Sequence, residues 1–149
     1  MLGRTAITGL LLFSAAAVAC GGGGEDSDGG STSAPATTAG PKVVAVLKEF
    51  TIEPDKMTAA AGAISFEAQN KGTTPHELKV VKTDLAPDKL PVKDGKVDEG
   101  AVQVLSKTSE FGAGKSETVN ATLTAGKYVL ICNVVAHYPA GMHVAFTVE

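Results

Sequence analysis

The chain from residue 42 to 149 predicts an all-β sandwich. Three observations carry this. Short runs rich in Val, Ile, Phe and Thr recur along it, turn-forming clusters of Gly, Pro, Asn and Asp separate them, and little of it shows a helical period.

The elements follow in order. Residues 42–50 form a Val-rich strand. Residues 63–69 alternate cleanly, which turns Ile64, Phe66 and Ala68 inward. Asn70-Lys71-Gly72 is a turn signal. The next strand puts His76, Leu78 and Val80 on its inner face and Glu77 and Lys79 outside. Residues 84–100 hold Pro87, Pro91, Asp94-Gly95 and Glu99-Gly100, and read as a surface excursion with a helical turn at 87–90. Residues 101–105 make a short strand. Residues 111–115 are Gly-containing but lack the spacing of a phosphate-binding loop. Residues 116–123 alternate again, with Val119, Ala121 and Leu123 inward, and 124–127 turn into the following strand.

Chemistry concentrates in residues 132–142. The chain holds two Cys, three His and three Met, and one of each falls here: Cys132, His137 and Met142. Strand alternation aligns Tyr128, Leu130 and Cys132 on one face, and Met142, Val144, Phe146 and Val148 on another. Met142 therefore points coreward and His143 outward. Met57 lies outside the pattern and reads as packing or surface. A thiolate, imidazoles and a thioether suit copper, which accepts a long, weak axial sulfur. Zinc takes Cys and His but has little use for Met.

The spacing Cys-x4-His-x4-Met resembles the carboxy-terminal ligand loop of the cupredoxins, the blue copper proteins, as it stands in rusticyanin and sulfocyanin. Plastocyanin shortens the first gap and azurin the second. Cupredoxins carry another His ligand earlier in the chain, and His76, in Thr74-Pro75-His76-Glu77, matches it. The resemblance covers about residues 42–149. It implies a Greek-key β-sandwich or barrel of seven to eight strands. It also implies one type 1 copper ion held by His76, Cys132 and His137 with Met142 axial, and single-electron transfer through the His137 edge. Tyr138, Pro139 and Ala140, with Pro75 opposite, are the expected docking rim. The implied partners are redox proteins such as a cytochrome or a terminal oxidase. One departure stands out: plastocyanin and azurin have Asn after the first His, where this chain has Glu77.

Other functions fit the sequence less well. A Cys132–His137 nucleophile pair needs a cleft, an orienting group and an oxyanion hole, and Asn133 points to the opposite face of the strand. Copper enzymes built on this fold need further His ligands, and only His143 is unassigned; the chain is not expected to be an enzyme. A copper storage or delivery protein is the alternative, though such proteins favour exposed Met/His clusters.

The amino terminus reads as an export signal. Arg4 precedes an apolar run over residues 5–19, shorter than the roughly 20 residues of a membrane span. Ala17-Val18-Ala19 is a small-residue cleavage signature, so residues 1–19 are a signal peptide. Ala17-Val18-Ala19-Cys20 resembles the lipobox of bacterial lipoproteins, with Ala17 in the usual Leu position. Lipidation of Cys20 is expected, and ordinary cleavage at the same bond is the other reading. A Cys20–Cys132 disulfide would consume the proposed ligand. Residues 20–41 have little to bury and form a flexible tether of roughly 25 Å root-mean-square span. The expected location is extracytoplasmic, in the periplasm or at the cell surface, membrane-anchored through Cys20. From Lys42 onward 12 basic residues face 13 acidic ones. That leaves no basic surface for nucleic acid, and a monomer is expected.

Overall fold

The computed structural model describes residues 40–149. The expected signal peptide over residues 1–19, Cys20 as the expected lipidation site, and the expected tether up to residue 39 lie outside the described residues. Among the described residues there are eleven strands: β1 (Lys42–Lys48), β2 (Thr51–Pro54), β3 (Thr58–Ala59), β4 (Gly62–Asn70), β5 (Lys79–Lys82), β6 (Val92–Lys93), β7 (Lys96–Val97), β8 (Gln103–Lys107), β9 (Ser116–Leu123), β10 (Gly126–Ile131) and β11 (His143–Val148). Eight of these run four residues or more and three are two-residue pairings, so the expected count of seven to eight describes the main strands.

The strands build a four-stranded sheet, β2-β1-β4-β9, and a five-stranded sheet, β3-β11-β10-β5-β8. Alternation decides which side chains fill the space between them. Val43, Ala45, Leu47, Ile64, Phe66 and Ala68 come from the first sheet, and Leu78, Val80, Tyr128, Leu130, Phe146 and Val148 meet them from the second. Phe66 and Phe146 join the sheets edge to face, with ring centroids 5.4 Å apart. The arrangement is the Greek-key sandwich expected.

Residues 84–100 depart from expectation in detail. Residues 86–89 make a single turn, with Lys89 N–H on the Ala86 carbonyl, and no helix follows. The segment contains the β6–β7 hairpin and brings Leu90 and Val97 into a second apolar cluster with Val81, Val129, Ile131 and Tyr138. Val81, Val129 and Ile131 come from the outer face of the five-stranded sheet and Tyr138 from the loop after β10, so the excursion roofs that face. The strand expected at 101–105 forms two residues later, as β8.

Lys79 corrects the alternation argument. It was expected outside, yet it is only 5% exposed. The roof covers its face of β5, and its ammonium pairs with Glu99 and lies 3.3 Å from Glu77. Burial alone would pull the Lys79 pKa down, but these two carboxylates outweigh it and hold the pKa up.

Candidate metal centre

The site lies at one end of the sandwich. It is assembled from the loop after β4, the end of β10 and the loop leading into β11. Asn70 closes β4 and organises the first loop. Fully buried, it accepts from Gly72 N–H at 2.9 Å and donates to the carbonyls of Thr74 and Phe111 at 2.8 and 3.1 Å. His76 is then clamped to Phe111 by two backbone hydrogen bonds, one in each direction. Its side chain is fully buried.

The second loop is knitted by its own backbone. His137 N–H donates to Val134 O at 3.0 Å, Met142 N–H to His137 O at 3.0 Å, and Cys132 N–H to Met142 O at 3.1 Å. Ala136 adopts a left-handed φ of 68°, and its N–H donates to Gly95 O at 2.9 Å, so the β6–β7 hairpin braces the loop. Asn133 reinforces the brace from the outer face. It accepts from Val97 N–H at 2.7 Å and donates to Val97 O at 3.1 Å and to a Glu99 carboxylate oxygen at 3.0 Å.

Three donor atoms converge. His76 Nδ1 and His137 Nδ1 lie 3.2 Å apart, and Cys132 Sγ lies 3.9 and 3.5 Å from them. With metal–nitrogen bonds of about 2.0 Å and a metal–sulfur bond of about 2.3 Å, donors in a trigonal plane stand roughly 3.5–3.7 Å apart. The triangle is therefore sized for one ion. Met142 is fully buried in the same cluster as Cys132, in keeping with its coreward direction in the sequence.

The electrostatics match a cation site. Burial pushes the Cys132 thiol up, against the N–H groups of Glu77 and Val134, which lower it. Burial also pulls His76 down, with His137 adding to the effect and Glu49 opposing it. A bound cation would reverse the balance at sulfur and hold it as thiolate. Glu77 N–H donates to Cys132 Sγ at 3.5 Å. The Glu77 backbone thus reaches the sulfur although its side chain is not the Asn of plastocyanin and azurin.

The expected docking rim is only partly at the surface. Pro75, Pro139 and Ala140 are exposed. Tyr138 is not: it is 3% exposed, and its hydroxyl accepts from Leu90 N–H at 2.8 Å and donates to Pro87 O at 2.7 Å. Its ring belongs to the cluster under the roof, so it leaves the rim. Phe50 lies at the site instead, 41% exposed and edge-on to His137 at 5.3 Å between centroids. From sequence, Asn70 reads only as part of a turn and Asn133 only as outward-facing, and Phe50 has no role; the contacts that bring them to the site reach 34 to 87 residues along the chain. His143 is half-buried beside Tyr138 and apart from the donor triangle.

Comparison with known proteins accords with this geometry. The family model of the sulfocyanin (SoxE) domain matches residues 56–149. Among solved structures, the dithionite-reduced auracyanin of Roseiflexus castenholzii is 24% identical, with a TM-score of 0.52, over 75% of this chain and 98% of its own. An azurin of Methylomonas sp. strain J is 16% identical, with a TM-score of 0.56, over 73% and 98%. Auracyanin A of Chloroflexus aurantiacus, described as a "blue" copper protein, is 19% identical, with a TM-score of 0.50, over 72% and 99%. These likenesses show the shared fold. A comparison with curated proteins found no match. With the ligand-loop spacing and the donor triangle, the match places the chain: it belongs to the sulfocyanin family of cupredoxin blue copper proteins, and its His76, Cys132, His137 and Met142 cluster fits one type 1 copper ion.

Proposed function

We propose that this protein carries single electrons between redox partners outside the cytoplasm. The observation that supports this most is the buried triangle of His76, Cys132 and His137 at one end of a packed sandwich. Copper bound there would cycle between Cu(II) and Cu(I), taking one electron from a donor and passing it to an acceptor. The residues supply the rigidity. His76 is locked to Phe111, and the Cys132–Met142 loop is closed by its own hydrogen bonds. Donors fixed in this way need little rearrangement when the charge changes. Full burial of Cys132 and Met142 keeps water off the sulfur ligands.

In this reading His137 is the electron port, with Phe50, Pro75, Pro139 and Ala140 around it as an apolar docking rim. A cytochrome or a terminal oxidase is the class of partner that fits, and a lipid on Cys20 would hold the domain at the membrane. One closed set of donors suits a carrier better than copper storage or delivery. Absorption and electron paramagnetic resonance spectra of the copper-loaded protein test the centre. An intense visible thiolate-to-copper band is expected, and a colourless Cu(II) adduct would refute the reading. Stopped-flow reduction by a cytochrome tests the role, which requires fast exchange without loss of copper.

A further inference from the structure

His76 has two ring nitrogens, and the donor triangle uses one. The other, Nε2, is fully buried and has no hydrogen-bond partner among the described residues. The Oε1 atom of Glu49 lies 3.7 Å from it. A metal-binding imidazole usually gives this second N–H to a carboxylate, a carbonyl or a water, which fixes the tautomer and strengthens the ring as a donor.

Glu49 is held in place for that role. Leu47 pairs with Asn70 across β1 and β4, so the chain leaving β1 runs beside the loop that carries His76. There Glu49 Oε1 accepts from Thr73 N–H at 2.6 Å and Thr74 N–H at 2.8 Å, and from their hydroxyls at 3.2 and 3.1 Å. Gly72 leaves the room. A Cβ there would stand 2.6 and 2.7 Å from the two carboxylate oxygens. Those N–H groups, Thr74 before Thr73, hold the Glu49 pKa down at about 2, so the group stays charged.

We propose that Glu49 is a positioning residue for copper. Its carboxylate receives the His76 Nε2–H, directly or through one water, and sets the reduction potential of the centre. This rests on the copper reading above. A negative charge behind His76 favours Cu(II) over Cu(I), so it lowers the potential.

The test compares copper-loaded wild type, Glu49→Gln and Gly72→Ala. Gln keeps an oxygen for the Thr73 and Thr74 donors but removes the charge. Ala at 72 keeps the charge but displaces it. Both variants are expected to stay coloured. Glu49→Gln should bind Cu(II) about tenfold more weakly relative to Cu(I), which raises the potential by about 59 mV for a one-electron couple; Gly72→Ala should shift it the same way. In the metal-free protein, nitrogen-15 resonances of His76 should show the Nε2–H tautomer in wild type and a changed tautomer balance in Glu49→Gln. A coloured Glu49→Gln with unchanged potential and an unchanged His76 tautomer overturns the proposal and leaves the copper centre standing. A wild type without the visible band would instead strike at the centre, and the metal-free resonances would still decide the Glu49–His76 pairing. Should Glu49→Gln fail to fold, Gly72→Ala carries the same comparison.

Discussion

The backbone N–H of Glu77 points at the sulfur of Cys132 from 3.5 Å. Residue 77 directly follows one ligand, so the chain that positions an imidazole also delivers a donor to the thiolate. The side chain is free for another task, and it lies 3.3 Å from the buried Lys79. Cys132 is thus tied to the His76 segment by main chain, and its neighbour Asn133 is tied to the roof by side chain.

Cys132→Ser tests the covalent heart of the centre. The visible charge-transfer band should vanish and Cu(II) affinity should fall, because an alcohol is a far poorer ligand than a thiolate for this metal. The fold should persist, as judged by circular dichroism.

Met142→Leu tests the axial position. The two side chains are close in volume, so stability should fall by less than about 1.5 kcal/mol. Copper should still bind, and voltammetry should show a higher potential, since the weak sulfur donor is gone.

Asn70→Ala tests the frame of the first loop. It strips three hydrogen bonds from a fully buried position. A loss of about 3 kcal/mol is expected in urea unfolding, with weaker copper binding because His76 loses its support. A loss near zero would mean that the loop holds itself.

The roof should make stability depend on pH. Lys79 holds the Glu99 carboxyl below its ordinary value of 4.5, so that contribution is present above pH 4.5 and is lost as pH falls through the lowered value. Glu99 and Glu77 raise Lys79 against the pull of burial. Its contribution is present below its ordinary 10.5 and is lost as pH rises through the raised value. Urea midpoints measured across pH should fall at both ends, and Lys79→Met should flatten both limbs.

Copper affinity should also fall on acidification. Burial raises the Cys132 thiol, so below that value each ion bound must displace its proton. Competition titrations should show about a tenfold loss per pH unit from this proton alone.

The ligand set was legible in the sequence because it is mostly local. Cys132, His137 and Met142 share one loop, and simple alternation gives the direction of Met142. The inner faces of β4, β9 and β10 were legible for the same reason: a period of two leaves one choice once an apolar face must be buried. What escaped notice was set by pairing across the fold. Alternation put Lys79 outside, but it cannot see a roof arriving from residues 84–100. Tyr138 follows a ligand and looked like rim, yet the tight loop turns its ring under that roof. Glu49 meets His76 only because β1 lies parallel to β4, a register that neither strand's own residues announce.

Of the four copper-side residues, three are sealed off completely and His137 alone reaches the surface, at 9%. For the carrier proposed here, that leaves a single doorway. Whoever supplies the electron and whoever collects it must use the same threshold in turn, so the two should exclude one another, and an excess of either should slow the relay.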